Sequence, residues 1–254
     1  MLWYKSWLDT RWRFAIGLVI LMVVGCGTIV DWAATAKLMP LAGAVDTSTE
    51  MGRRLKEALE VEQTFRGFVW WQWFRQNLSQ IGTLFAILLG SGSILAATDG
   101  AALFTLSLPT TRARLVAVRA VVGLSEFLVI VVASSLVIPA MSPAVGQHYG
   151  VGDALVHSAC AFAAGAAFFS FALLLSAAFD DLWRPLLMAC GVAIALGGWE
   201  LVAWNNSPYG VFHLMSGETY FKAGVVPWMP ILVSIAVSGT LTAGAASSLA
   251  HRDF

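Results

Sequence analysis

Long apolar runs separated by short clusters of charge, proline and asparagine set the pattern of this chain. The runs fall at Phe14 to Val30, Ser79 to Thr98, Ala117 to Ile138, Leu155 to Phe179, Pro185 to Trp204 and Val226 to Leu249. Each is close to the roughly 20 residues with which a helix crosses a hydrocarbon core of about 30 Å. The punctuation between them belongs near water: Asp31, Asp99, Pro139 with Pro143, Asp180-Asp181, Asn205-Asn206 and His251-Arg252-Asp253. Inside a bilayer every backbone amide is paired within its own helix or in a closed barrel, and the short alternating strands of a barrel are absent from the pattern. It predicts an all-α membrane protein, six transmembrane helices in a single transmembrane domain, 1–254.

The stretches between the runs carry patterns of their own. Leu2, Trp3, Tyr4, Trp7, Leu8 and Trp12 recur at helical spacing with Lys5, Ser6, Asp9 and Arg13 opposite them, which predicts an interfacial elbow helix over residues 1–13. In the external region 31–78, Thr47 and Glu50 have the spacing of a capping box, and a helix is expected from Thr49 to Phe65. The aromatic run Phe68 to Phe74 is then expected to return along the outer leaflet. Trp12, Trp32, Trp70, Trp71, Trp73, Trp183, Trp204 and Trp228 lie at or beside run ends. They read as a headgroup-level belt, where a flat apolar ring and a polar N–H are both accommodated. The segment from Asn205 to Val225 is too apolar for a free loop and is interrupted by Pro208, Gly210, Gly217 and Gly224. It is predicted to dip into the membrane, covered by protein or lining a wet cavity.

Composition agrees: 58% hydrophobic residues and 12% charged in 254 residues, with a mean hydropathy of +0.76, exclude a water-soluble globule. Fifteen basic side chains balance fifteen acidic ones, and no nucleic-acid partner is expected. In the short connections Lys5, Arg11, Arg13, Arg112, Arg114, Arg119, Arg184 and Arg252 fall on the side of the N-terminus, against Lys222 on the other. The bias of basic residues toward the cytoplasm then predicts N-in and C-in. Cys26, Cys160 and Cys190 all lie within runs, without paired spacing, so neither a disulfide framework nor a metal site is indicated. His148, His157, His213 and His251 are scattered, and no P-loop, nucleophile elbow or H-E-x-x-H occurs. No catalytic machinery or cofactor site is visible, and the chain is not expected to be an enzyme by itself.

The second and third runs are joined by the most distinctive segment, 99–115. It opens with Asp99-Gly100, continues through Phe104 and Leu106-Ser107-Leu108-Pro109, and ends on Thr110-Thr111 with Arg112 and Arg114. With the run pattern, this segment resembles the integral-membrane permease subunits of type 2 ABC exporters. Their members carry an acidic-Gly start, an apolar helical stretch, Ser-Leu-Pro and clustered arginines, more often with Glu where Asp99 stands. The resemblance implies a cytoplasmic coupling segment that docks on a separate ATPase: Phe104, Leu106 and Leu108 fill a groove, Pro109 stops one helix, and Arg112 and Arg114 start the next. A second contact is expected from Asp180, Asp181 and Arg184. The resemblance further implies a multi-pass protein of the bacterial cytoplasmic (inner) membrane, with two ATPase subunits that hold ATP and Mg. A second permease copy, forming a homodimer, or a similar sister chain would complete the pathway, and short re-entrant helices would lie near its outer mouth at 205–225. The alternative is a membrane scaffold that anchors a soluble enzyme and moves nothing.

Two charges fall inside runs. Glu126 either marks a cation or proton path or hydrogen-bonds to a neighbouring helix, and the lack of a basic partner in the runs favours the second. Glu200 reads as interfacial. Small residues, Ala161, Gly165, Ala166 and Ser170 in the fourth run, Gly191, Gly197 and Gly198 in the fifth, and Ser234, Ser238 and Thr242 with Gly239 and Gly244 in the sixth, are expected to permit close helix contact.

Overall fold

The computed structural model describes residues 2–38, 60–92, 112–179, 181, 183–203 and 210–251, and they contain helix without strand. Helix α1 covers Leu2–Leu38. A composite helix follows: α2 over Phe65–Val69, a π-helical stretch over Trp70–Leu78 and α3 over Ser79–Gly90. Helix α4 covers Arg112–Met141, α5 Val151–Ala178 and α6 Trp183–Ala203. Two single-turn helices, α7 at Val211–Ser216 and α8 at Glu218–Ala223, precede α9 at Trp228–Ala250. Five of the described helices, α1, α4, α5, α6 and α9, are long and apolar enough to cross a membrane.

Three predicted boundaries change. The elbow is not a separate element, because α1 runs unbroken through Arg13; nothing between Trp12 and Phe14 breaks a helix, and Thr10 and Arg13 are held by other helices. The second run is shifted: its helix starts at Phe65 and ends at Gly90, where Ser91 turns extended. The aromatic run is not a surface return. Phe68, Trp70, Trp73 and Phe74 are fully buried, and the π-helical turns that carry them pack within the bundle. Of the predicted external helix only 60–65 is described: 60–62 are helical and Phe65 opens α2, the rest lying outside the described residues. Trp12, Trp183 and Trp228 remain exposed as a belt requires. Trp32 instead packs edge-on against Phe65 at 5.3 Å.

The small residues of α5 and α9 pack together as expected, whereas a Cβ on Gly191 or Gly198 of α6, or on Gly239 of α9, would meet nothing within 4 Å among the described residues. Ser234 donates to the Ala163 carbonyl at 2.8 Å, Ser238 to that of Ala166 at 3.1 Å, and Ser170 and Ser238 share a hydrogen bond at 2.6 Å. Such bonds form only where small side chains let backbones approach. On the other face of α5, the Phe127 ring of α4 sits over Gly165, leaving no room for a Cβ there. Helix α6 is peripheral, with Leu187, Ile194, Leu201 and Val202 exposed.

Candidate functional site

The strands of polar contact gather at the two ends of the bundle. At the proximal end, where α1 begins, α3 terminates with carbonyls that have no partner within the helix, as every helix end does. Arg13 of α1 supplies one: its Nη1 donates to the Leu88 carbonyl at 2.8 Å and also to that of Ser91. A guanidinium on the last carbonyls of a helix gains both hydrogen bonds and the favourable end of the helix dipole. From α5, Ser176 accepts the Gly92 N–H at 3.1 Å and donates to the Ala172 carbonyl at 2.9 Å. From α4, the Arg119 guanidinium lies where a Cβ on Gly92 would stand, and Gly92 has φ +156°. Only glycine fits that position.

Glu126 belongs to the same end. Its Oε1 accepts from the Thr10 hydroxyl of α1 at 2.8 Å, and both side chains are buried. The hydrogen-bonding role expected for it is what the geometry gives. Its isolation from basic groups is not: Arg119, which the loop pattern placed at the surface, reaches into the bundle with a buried Nε, on the face of α4 that carries Glu126 two turns on. α1, α3, α4 and α5 thus converge on the backbone immediately before residue 93.

The expected coupling residues Asp99, Gly100, Phe104, Leu106, Leu108, Pro109 and Thr110, with Asp180, lie outside the described residues. Arg112 opens α4, and Arg114 is exposed on its first turn. Asp181 and Arg184 come together locally: Asp181 accepts the Arg184 backbone N–H at 2.8 Å and pairs with its guanidinium at 2.9 Å. Asp181 is therefore the N-terminal cap of α6.

At the distal end, α7 and α8 are bolted to the bundle. The Ser216 carbonyl accepts from Trp70 Nε1 at 3.0 Å and from His157 Nδ1 at 3.2 Å. Trp70 stacks on Phe221 at 4.3 Å, and His157 on Phe74 at 4.4 Å. Tyr220 donates to Asp153 at 2.7 Å. Glu200, near the distal end of α6, caps α7: it accepts the N–H groups of Val211 at 2.5 Å, Phe212 at 3.1 Å and His213 at 3.3 Å. Glu218 lies between His213 at 3.2 Å and Lys222 at 2.6 Å. Burial alone would raise its pKa, but the hydrogen bonds and charges of those two partners outweigh it and hold the carboxyl down at about 2. None of these contacts is visible in sequence spacing except Glu218 to Lys222, four apart on one helix face.

Between these ends, a groove of about 550 Å³ runs along α6, bounded by α3 with its π-helical extension and by α7. Its distal part is polar, with Arg75, Gln80, Glu200 and Glu218, and its proximal part is apolar, with Ile87, Ala193 and Ile194.

A family model described as ABC-2 family transporter protein matches residues 9–252. The chain belongs to this ABC-2 permease family. No curated protein and no solved structure matches it. In this ABC-2 permease the match takes in both polar ends, the groove and residues 99–115.

Proposed function

We propose that this permease lines the translocation pathway of an ATP-driven exporter in a bacterial cytoplasmic membrane, paired with a second permease copy and two separate ATPase subunits that hold ATP and Mg. In this reading the composite helix from Phe65 to Gly90 is the second of six spans, the proximal end faces the cytoplasm, and both termini lie inside.

One observation carries it. The segment 99–115 that resembles a coupling element follows in sequence a helix end grasped by Arg13 from α1 and abutted by Arg119 from α4. In this reading a push at that helix end is shared among three helices, as a transition between packed states requires. Nucleotide binding on the ATPase would then shift the pathway between inward and outward states by favouring one of them.

The test is the double charge reversal Arg112→Glu with Arg114→Glu in the complex purified with its ATPase. The expected result is an assembled bundle whose ATPase no longer responds to the permease. Full stimulation and transport in that variant would overturn the coupling role, and co-purification of a partner that binds no nucleotide would overturn the exporter itself.

A further inference from the structure

The groove along α6 has a direction. The π-helical stretch and α3 run from Arg75 at the distal end to Ile87, while α6 runs the opposite way from Cys190 to Leu201, so Arg75 and Glu200 share one end and Ile87 and Cys190 the other. The polar groups therefore lie at the distal end and the apolar walls toward mid-helix. Its rim includes Leu84 and Ile194, which are 44% and 76% exposed, so the groove opens sideways between two membrane helices.

At its polar end the two carboxylates are already engaged, whereas the one guanidinium is not. Glu200 is spent on the amides of α7, and Glu218 on His213 and Lys222. Nearby Asp153 takes the Tyr220 hydroxyl and Arg66. Arg75 has no carboxylate and no hydrogen-bond acceptor among the described residues. Its guanidinium instead lies flat on Trp71 at 4.2 Å and near Trp70 at 5.5 Å. Stacking fixes the plane of the group and leaves its edge donors unused, and those donors match the paired oxygens of a phosphate.

We propose that this groove is a binding site for an anionic phospholipid of the surrounding bilayer, its phosphate on Arg75 and one acyl chain along Leu84 and Ile194. A cavity of 550 Å³ lies in the range of small-ligand sites, which are apolar with a few placed polar groups. A second copy of the chain fits less well: a two-fold interface would set this groove against itself, facing Arg75 with carboxylates that are already engaged. The proposal concerns the permease alone and is independent of the ATPase coupling tested above.

Native mass spectrometry of the detergent-purified permease, challenged with phosphatidylglycerol and phosphatidylcholine of equal chain length, reads it directly. Wild type should retain phosphatidylglycerol about fivefold better, the effect of one charge-assisted contact. Arg75→Gln should bring the two to parity, whereas Arg66→Gln, at the same end but outside the groove and paired with Asp153 rather than with a groove carboxylate, should keep the preference. Equal retention by wild type, or an unchanged preference in Arg75→Gln, overturns the site. Should Arg75→Gln not fold, phosphatidylglycerol carrying a photoreactive acyl chain decides on wild type: labelling of residues 83–87 and 190–197 supports the site, and labelling elsewhere overturns it. Oxidative cross-linking of Cys190 to Cys190 between copies, unaffected by lipid, would identify the groove as a seam between permeases and also overturn it.

Discussion

The two ends of the bundle are held by different chemistry. At the proximal end long cationic side chains do much of the holding: Arg13 of α1 reaches two terminal carbonyls of the composite helix, and Arg119 of α4 lies against Gly92. At the distal end, short contacts fix α7 and α8 from several directions: Trp70 and His157 on one carbonyl, Glu200 on three amides, and aromatic stacks beneath. The difference teaches how each end is built. Long side chains reaching to backbone carbonyls suit the end at which, in the proposed function, the ATPase pushes, and short contacts from several directions suit an end that holds its shape.

The largest effect is expected where the composite helix meets α5, the wall shared by both ends. A Cβ at Gly90 would collide with the Phe169 carbonyl, a backbone atom that cannot turn aside. Gly90→Leu should cost about 3 kcal/mol, the upper range for overpacking, and shift the thermal transition of the purified protein sharply downward. A wild-type transition would mean that α3 and α5 are not in close contact.

The proximal clamp comes next. Arg13→Ala leaves the carbonyls of Leu88 and Ser91 without their donor at a cost of about 2 kcal/mol. Amide exchange should rise near Ser91 and Gly92, with little change at Val211 to His213, and stimulation of the ATPase should fall. Uniform loosening of both ends would erase the distinction between them. At the distal end, Glu200→Gln replaces an acceptor-only carboxylate with a group that presents N–H to N–H. It should cost about 1.5 kcal/mol and raise exchange at Val211 to His213 alone. Trp70→Phe keeps an aromatic ring against Phe221 but removes the bond to Ser216 and part of a fully buried indole, an expected loss of about 1.5 kcal/mol.

These contacts also mark how far the sequence was legible. The limits of α5, α6 and α9 fall close to those read from the apolar runs, since Asp180-Asp181, Asn205-Asn206 and His251-Arg252 each interrupt a run. The hydroxyl seam between α5 and α9 was likewise implied by its small residues. The aromatic run misled because a tryptophan wants the same two things at a membrane surface and in a core, an apolar bed and a partner for its N–H. For Trp70 that partner is Ser216, 146 positions away, and no local pattern reports it. Arg13 and Arg119 were hidden for a related reason: basic residues near a helix start satisfy the inside bias whether they face water or grip a neighbouring helix.

The smallest effect is expected from pH, and it separates the ends again. Glu218 holds α8 through His213 and Lys222, and its carboxyl is depressed from an ordinary 4.5 to about 2. A depressed carboxyl contributes its stabilisation in full above its unfolded value and loses it as pH falls through the folded one. Protonation of the Glu218 carboxyl itself should therefore begin to remove this stabilisation only below about 4.5, and the loss should be complete near 2. Tryptophan fluorescence followed through an acid titration reads this at the Trp70–Phe221 stack, which α8 carries. Glu218→Gln should remove that acid-dependent step and leave the neutral-pH signal nearly intact. A transition between pH 5 and 7 that persists in Glu218→Gln would place the sensitive group elsewhere and make the distal anchor the more labile of the two ends.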